Sequence, residues 1–431
     1  MVNLSIIVAS VLLAGSVVGC THQPVGTDPR PSGPIAEWTI QELAYGGAFT
    51  PAVAVDTRGQ TLYVAYAMPH QGGGYDLFIR RGRSGRAEMS EPVQVNTDAS
   101  VAHPIQSAPI RIAVAPDGEL YIVWRQENMS PEILKDYPWG LTRVLFARSV
   151  DQGRTFSDPV EIAAGFPHAK DFPSLTVNES GRIFVAWLTY GPGIDESDVN
   201  LSQSADHGRS FSAPAVVDRV VCGCCGPAVA VGPEALTIVA WRDIERLHEG
   251  GLAEEIRDIK FRMTMDRGAG FTGPQVVPIS GWRESTCTHT ASSVAVDRNS
   301  RAHIAYYSGR PDAQGTHYAM FDVKEKRYRA QVPLTVGGFV PPSKVSLALL
   351  DQKQAWVAWE DRSDHGSFTL KEHGVIDASS ALIRYACVDE RSGSIQSMGA
   401  FGPGIMPQVA AGAAGVNVVW SHQGKVFLAR R

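Results

Sequence analysis

Three copies of one short pattern constrain the fold of this chain more than any other feature. The copies are Ser149–Phe156 (SVDQGRTF), Ser204–Phe211 (SADHGRSF) and the more divergent Thr264–Phe271 (TMDRGAGF). Each lies between two strand-like runs, so we interpret it as a hairpin turn. In that turn Asp accepts backbone hydrogen bonds, Gly adopts a positive φ and Phe packs underneath. The aspartates are 55 and 60 positions apart, and recurrence of one supersecondary unit at such a spacing predicts a β-propeller.

The pattern S-x-D-x-G-x-[ST]-F resembles the Asp box, or BNR repeat, of the sialidase-like superfamily. The resemblance implies an all-β propeller with the Asp boxes at its periphery. It implies no particular activity, because many proteins that carry Asp boxes are not sialidases. A looser likeness covers residues 220 to 300, where Cys-x-Cys-Cys, the segment Arg257–Ile259 and Cys-x-His follow one another. This order resembles a group of exported bacterial sialidase-like propellers and implies that the two cysteine loops act as one unit.

Recurrent strand pairs predict the number of blades. A strand that begins with a small residue or Pro, a turn and a second strand that ends in an aromatic residue occur seven times. The last unit ends after a third strand, and we predict that Trp38–Leu43 supplies the missing fourth strand and closes the ring. We therefore expect an all-β propeller of seven blades. A ring of six blades, the number in sialidases themselves, is the alternative if the terminal units merge.

The N-terminal residues predict export. The apolar stretch Leu4–Gly19 is too short to span a membrane, and Val17–Cys20 resembles the lipobox of bacterial lipoproteins, which implies lipidation of Cys20. An ordinary cleaved signal peptide is the alternative. The predicted organisation is a signal peptide over 1–20, a flexible tether over 21–35 and one propeller domain over 36–431. We expect a protein held by its lipid at the cell envelope, outside the cytoplasm, in the periplasm or at the cell surface.

Charge and strand order predict the kind of partner. The net charge is −5, and no basic stripe with interleaved aromatic residues is present, so we expect no nucleic-acid partner. The predicted strand order brings the loops before the inner strands and after the second strands to one mouth of the central channel, opposite the Asp boxes. A small molecule, a glycan or a protein is the ligand expected there, because ligands bind where loops of several blades converge.

Clustered cysteines are the rarest feature of the chain. Cys222, Cys224 and Cys225 directly precede the inner strand of the fourth unit, and Cys287 and His289 hold the equivalent place in the fifth. Together they offer up to four thiolates and one imidazole, a set that suits Cu(I) or Zn(II). Otherwise no cofactor is expected. Two alternatives remain open, namely disulfides between adjacent blades in an oxidising envelope and redox-active thiols.

An exo-sialidase, or a related glycoside hydrolase that acts on acidic sugars, is an alternative function. Such an enzyme needs arginines that hold the carboxylate of the sugar, a Tyr nucleophile assisted by Glu, and an Asp acid/base. Arg111 lies in Ile110–Ala113, the nearest match to the sialidase Arg-Ile-Pro motif, but the proline is missing. Arg111 equally suits a strand residue that lines the channel. The full set of catalytic candidates is Arg111, Arg242, Asp243, Tyr307, Arg310 and Glu360.

The sequence therefore leaves three functions open. The first is a lipid-anchored envelope propeller whose Cys/His loops bind a metal or a partner. The second is a glycoside hydrolase that acts on acidic sugars, and the third is an envelope scaffold whose blades are joined by disulfides.

Overall fold

Each repeat of the sequence folds into one four-stranded antiparallel sheet in the computed structural model. The structure describes residues 38–138, 140–191, 197–249, 252–266, 268–284, 289–335, 344–351, 353–361 and 381–431. These residues contain thirty strands, two short 3-10 helices (Asp98–Ser100 and Ile133–Lys135) and no α-helix. None of their helices has the length and apolar character needed to cross a membrane. The predicted all-β propeller of seven blades is confirmed, and six blades are excluded.

The four strands of each blade follow one another from the inner edge to the outer edge of the ring. Blades 1 to 3 consist, in that order, of β2 (Phe49–Val55), β3 (Thr61–Pro69), β4 (Tyr75–Arg83) and β5 (Val93–Gln94); β6 (Arg111–Val114), β7 (Leu120–Asn128), β8 (Leu141–Ser149) and β9 (Val160–Glu161); and β10 (Ala169–Val177), β11 (Ile183–Tyr190), β12 (Ser197–Ser204) and β13 (Ala215–Asp218). Blades 4 and 5 consist of β14 (Ala228–Val231), β15 (Thr237–Arg242), β18 (Ile259–Thr264) and β19 (Gln275–Val276); and β20 (Ser293–Val296), β21 (Arg301–Ser308), β22 (Gly315–Asp322) and β23 (Arg327–Pro333). Blades 6 and 7 consist of β24 (Val345–Leu350), β25 (Gln354–Asp361), β26 (Leu382–Asp389) and β27 (Ile395–Pro403); and β28 (Ile405–Gly412), β29 (Gly415–His422), β30 (Lys425–Arg430) and β1 (Thr39–Ala44). A separate hairpin, β16 (Glu245–Glu249) and β17 (Leu252–Ile256), extends from blade 4 and was not predicted from the sequence.

The second strand of each blade is buried on both faces because neighbouring blades cover it. Its residues are therefore almost continuously apolar rather than alternating, as in the buried strand β15 (TIVAWR). The aromatic residues that end these strands fill the gaps between blades. Trp124, Trp187, Trp241 and Trp359 are all among the largest fully buried side chains. The hydrophobic core is thus a ring of inter-blade clusters rather than one central mass.

Serine hydroxyls join neighbouring inner strands around the channel. Ser174 of blade 3 accepts a hydrogen bond from the backbone N–H of Val229 in blade 4 (3.2 Å). Ser346 of blade 6 does the same for Val409 in blade 7 (3.1 Å). These contacts satisfy N–H groups that the edge position of an inner strand would otherwise leave without an acceptor.

Pairing of the two chain ends closes the ring. β1 runs antiparallel to β30, with Thr39 opposite Arg430 and Glu42 opposite Phe427. The ring of Trp38 packs edge-on against Phe401 of blade 6, with ring centroids 4.8 Å apart. The prediction that the segment at Trp38–Leu43 completes the last blade is confirmed.

The Asp-box segments form the predicted hairpin turns between third and fourth strands. Asp206 Oδ1 accepts hydrogen bonds from Ser204 Oγ (2.7 Å) and from the Ser210 backbone N–H (3.0 Å). Gly208 has a φ of 77°, and Phe211 packs against Phe146 with ring centroids 5.1 Å apart. The hydrogen bonds, first among them the one from the Ser210 hydroxyl, hold the pKa of Asp206 well below its usual range.

We expect the substitution Asp206→Ala to lower the free energy of unfolding by about 1 kcal/mol, because several hydrogen bonds to the carboxylate are lost. Since the pKa of Asp206 is lowered on folding, its contribution is present above the ordinary aspartate pKa and is lost as pH falls. The difference between wild type and variant should therefore shrink as pH falls below about 4. Urea denaturation at several pH values measures it. Asp158→Ala, at an exposed position, is the control, and an equal effect there would refute a special role for Asp206.

Candidate functional site

One face of the ring carries the loops that precede the inner strands and follow the second strands, and the Asp-box turns lie on the other face. The cysteine loop and the candidate arginines belong to the first face, which we call the loop face. Inner strands of consecutive blades contact one another around the whole ring. Loops from distant parts of the chain therefore converge around one channel mouth, as the sequence predicted.

Three sulfur atoms lie together in the loop before β14. The Sγ–Sγ distances are 3.4 Å for Cys222–Cys224, 3.4 Å for Cys222–Cys225 and 3.6 Å for Cys224–Cys225. The exposed fractions of the three residues are 0%, 9% and 1%. Cys224 is in a disulfide whose partner lies outside the described residues, whereas Cys222 and Cys225 carry thiols. The predicted ligand Cys287 also lies outside the described residues.

Backbone contacts with blade 3 and with β15 fix the conformation of this loop. The N–H of Cys222 donates to the carbonyl of Arg242 (3.1 Å), and the N–H of Val221 donates to Ser197 (2.9 Å). The hydroxyl of Tyr190 donates to the carbonyl of Gly223. A Cβ at Gly223 would lie 2.5 Å from Ser197 Oγ, so a larger residue would have to displace the side chain of Ser197 in blade 3.

The guanidinium of Arg257 lies against the thiol cluster. Its Nη1 is 3.1 Å from Cys222 Sγ, its Nε donates to the carbonyl of Glu284 (3.0 Å), and its Nη2 pairs with Glu255. Contact with Cys225 and then burial raise the pKa of the Cys222 thiol well above its ordinary value, and the charge of Arg257 opposes this rise. The hairpin β16–β17 carries Glu255 and leads directly into Arg257. It thereby positions a cation beside the sulfurs.

Arg242 joins the loops of blades 4 and 5. Its guanidinium donates to the carbonyls of Arg257 (2.6 Å), Thr290 (3.0 Å) and Tyr307 (3.0 Å). The same group lies 4.9 Å above the ring of Trp282. Because these contacts use the donors on all three nitrogens, Arg242 supports the frame of the site.

Three other sialidase candidates lie in the same two blades. Asp243 pairs with Lys260 at 2.5 Å, and Arg310 pairs with Asp312 at 2.6 Å. Burial raises the pKa of Tyr307 to about 12. Each of these three residues therefore has its own structural surroundings. The contacts do not bring the three side chains together.

Arg111 and Glu360 lie elsewhere, with a residue that the sequence analysis did not select. Arg111 begins the inner strand of blade 2, Lys344 directly precedes that of blade 6, and Glu360 lies near the end of β25. Lys344 is 4% exposed. Among the described residues, neither cation has a hydrogen bond or an ion pair within 4.0 Å, whereas Glu360 accepts a hydrogen bond from the N–H of Met406 (2.7 Å). The signal for Lys344 was a lysine directly before an apolar strand.

Burial sets the electrostatics of this group, which we call the channel cluster (Arg111, Lys344 and Glu360). Arg111 is half-buried, and loss of part of its hydration lowers its pKa to about 10. Burial, followed by the nearby charge of Arg111, lowers the pKa of Lys344 well below its ordinary value, and Glu360 opposes this shift. The side chain of Gln106 reaches across from blade 2 to within 3.5 Å of Glu360 Oε1. Two cations and one carboxylate thus meet where blades 2 and 6 face each other.

Three groups of Cys, His, Asp or Glu side chains have their potential ligand atoms within 4.8 Å of one another among the described residues. Besides the three cysteines, the groups are Asp117, Glu119 and His207, and the buried Asp297, His303 and Glu390. In the buried group, Arg301 pairs with both carboxylates, so a cation would compete with a guanidinium. His289, a predicted ligand, is half-buried with a φ of 50°. It does not join the three sulfurs within 4.8 Å.

No protein-family model and no curated protein matches this chain. Solved structures do match it. An ulvan lyase of polysaccharide lyase family PL25, bound to -[GlcA(1-4)Rha3S]-, has a TM-score of 0.52 and 12% identity, covering 90% of this chain and 94% of its own. The Hadza microbial sialidase Hz136 has a TM-score of 0.51 and 14% identity, and the match covers 73% of this chain and 63% of the sialidase. A Penicillium chrysogenum alpha-L-arabinanase complexed with arabinobiose has a TM-score of 0.50 and 14% identity, covering 80% and 93%.

At these identities the likeness shows the fold alone. The chain has a sialidase-like β-propeller fold, as its Asp boxes predict. It spans less than two thirds of the length of Hz136.

We expect Arg242→Met to lower the free energy of unfolding by roughly 3 kcal/mol or more, because three buried carbonyls lose a charged donor. Arg310→Met is the matched control, since its partly exposed ion pair should contribute less than about 1 kcal/mol. Thermal and urea denaturation of both variants measure the difference. Equal losses in the two variants would show that Arg242 does not hold the loops together.

Proposed function

We propose that this sialidase-like propeller binds the acidic group of a sugar at the channel cluster, with Arg111 and Lys344 as the cations that hold it. The observation that carries the proposal is a buried lysine beside a half-buried arginine, neither of which has a hydrogen-bond acceptor among the described residues. Buried ammonium and guanidinium groups are normally paired, because an uncompensated charge is expensive to remove from water. A carboxylate or sulfate of the ligand would supply the missing acceptors.

The single carboxylate of the cluster does not balance the charge. Glu360 already accepts the N–H of Met406, and the lowered pKa of Lys344 reflects that its charged form is poorly compensated. A bound anion would stabilise the ammonium form. Binding at a pH above the pKa of Lys344 would then take up a proton, so affinity should fall as pH rises.

Two of the structures with a related fold support an acidic carbohydrate as the class of ligand. One is bound to a glucuronic-acid and sulfated rhamnose unit, and another is a sialidase. Those ligands belong to those proteins. They support this proposal because the fold has accommodated acidic sugars elsewhere, and the channel cluster of this chain offers the matching charge.

Binding is favoured over hydrolysis of sialosides by the environment of the candidate nucleophile. Burial raises the pKa of Tyr307, its ring packs edge-on against Trp282 with centroids 5.5 Å apart, and its carbonyl accepts from Arg242. Such a hydroxyl is a poor nucleophile at neutral pH. We therefore place the glycoside hydrolase second, and release of a fluorophore from a sialoside, abolished by Arg111→Ala, would restore it.

The test is isothermal titration of the full chain with D-glucuronate, N-acetylneuraminate and sulfate, with neutral D-glucose as the control ligand. We expect at least one anion to bind, and Lys344→Met or Arg111→Met to weaken it about 10-fold or more through loss of a charged hydrogen bond. Lys344→Met should also raise the thermal stability of the ligand-free protein, because it removes an uncompensated buried charge.

Matched controls remove the same charges from exposed positions on the opposite face. Lys353→Met and Arg58→Met lie in the turns after the inner strands of blades 6 and 1, and they should leave both affinity and stability unchanged. Binding of glucose with equal affinity, or anion binding that survives both channel substitutions, would refute the proposal.

Export and lipid anchoring remain part of the proposed function. Residues 1–37 lie outside the described residues, so this part rests on the lipobox-like segment before Cys20. We expect the expressed chain to incorporate an alkyne-labelled fatty acid and to enter the detergent phase, and Cys20→Ala to abolish both. Incorporation that persists in Cys20→Ala would favour an anchor elsewhere, and a soluble, unlabelled wild-type protein would favour the ordinary signal peptide.

A further inference from the structure

We propose that Cys222 and Cys225 form a Cu(I) site in the loop before β14, a site independent of the channel cluster. Both residues carry thiols, and their sulfurs lie 3.4 Å apart. Their exposed fractions are 0% and 1%. Two soft sulfur donors in a nearly dry environment match the ligand preference of Cu(I).

The donor set distinguishes copper from zinc. Structural zinc sites need four protein ligands, usually Cys and His. In this loop the disulfide removes Cys224 as a thiolate, and no imidazole or carboxylate joins the sulfur group within 4.8 Å among the described residues. Cu(I) is satisfied by two thiolates. With metal–sulfur bonds of about 2.3 Å, the two sulfurs must separate by roughly 1 Å, which a small side-chain rotation supplies.

Neighbouring arginines balance the charge of the complex. Two thiolates and Cu(I) carry one net negative charge, and Arg257 Nη1 already lies 3.1 Å from Cys222 Sγ. The fully buried Arg242 also lies close enough to both cysteines for them to favour its charged form. Two cations fixed beside the loop make an anionic metal complex acceptable in the interior.

The binding step balances without a redox partner. Copper enters as Cu(I), two S–H bonds break, two Cu–S bonds form, and two protons leave to the solvent. No electron is transferred, and the Cys224 disulfide stays intact. The site therefore needs copper in its reduced state, and oxidation of Cys222 and Cys225 to a second disulfide would destroy it.

The test is anaerobic titration of the full-length protein with Cu(I) against a chromogenic Cu(I) chelator. We expect one copper per chain and a thiolate-to-copper absorption band in the ultraviolet. Cys222→Ser and Cys225→Ser should each weaken binding about 100-fold or more. Arg257→Met should weaken it less, with both thiols still present. Cys387→Ser removes another buried thiol, in β26 of blade 6, and should change nothing.

Several outcomes would overturn the proposal. The first is that wild-type protein binds no stoichiometric copper although Cys222 and Cys225 react with iodoacetamide after unfolding. The second is that the serine variants bind copper as tightly as wild type. The third is that peptide mapping finds a Cys222–Cys225 disulfide. If the serine variants do not fold, the wild-type titration and the mapping still decide. Copper binding that is unchanged in Lys344→Met separates this site from the proposed sugar site.

Discussion

Closure of the ring by β1 and β30 is the constraint on which the rest of the structure depends. Without this pairing, blade 7 would end in an exposed third strand, and its unpaired backbone groups would face solvent. Closure also fixes the distance between blades that are far apart in sequence. Arg111 of blade 2 acts on the charge of Lys344 of blade 6 because the closed ring brings these two blades near each other.

The cations of the loop face differ in their hydrogen-bond partners. Arg242 uses its donors on three backbone carbonyls and on the ring of Trp282. The half-buried Arg111 and the buried Lys344 have no comparable acceptor among the described residues. A buried charge without an acceptor destabilises the protein, and the proposed acidic ligand would supply that acceptor.

The same supporting role of Arg242 gives the thiol cluster a rigid setting. Its contacts join the ends of β15 and β21 to the segments around Arg257 and Thr290. The cysteine loop is held from the other side by Ser197 and Tyr190 of blade 3. The loop that carries the sulfurs is therefore held by hydrogen bonds from both sides. A metal bound there would not need to order a flexible loop.

The sequence by itself determined the repeat, and with it the propeller, its seven blades and the closing strand. Asp206, Gly208 and Phe211 act within one turn, and such local requirements are visible in a linear pattern. Only the tertiary structure decided which charges lack partners. Arg242 and Arg111 look alike in the sequence, and Lys344 looks like an ordinary strand neighbour. The carbonyls that satisfy Arg242, and the missing acceptors of the other two, arise from contacts between blades. Such contacts depend on distances across the ring, and a chain sequence does not record those distances.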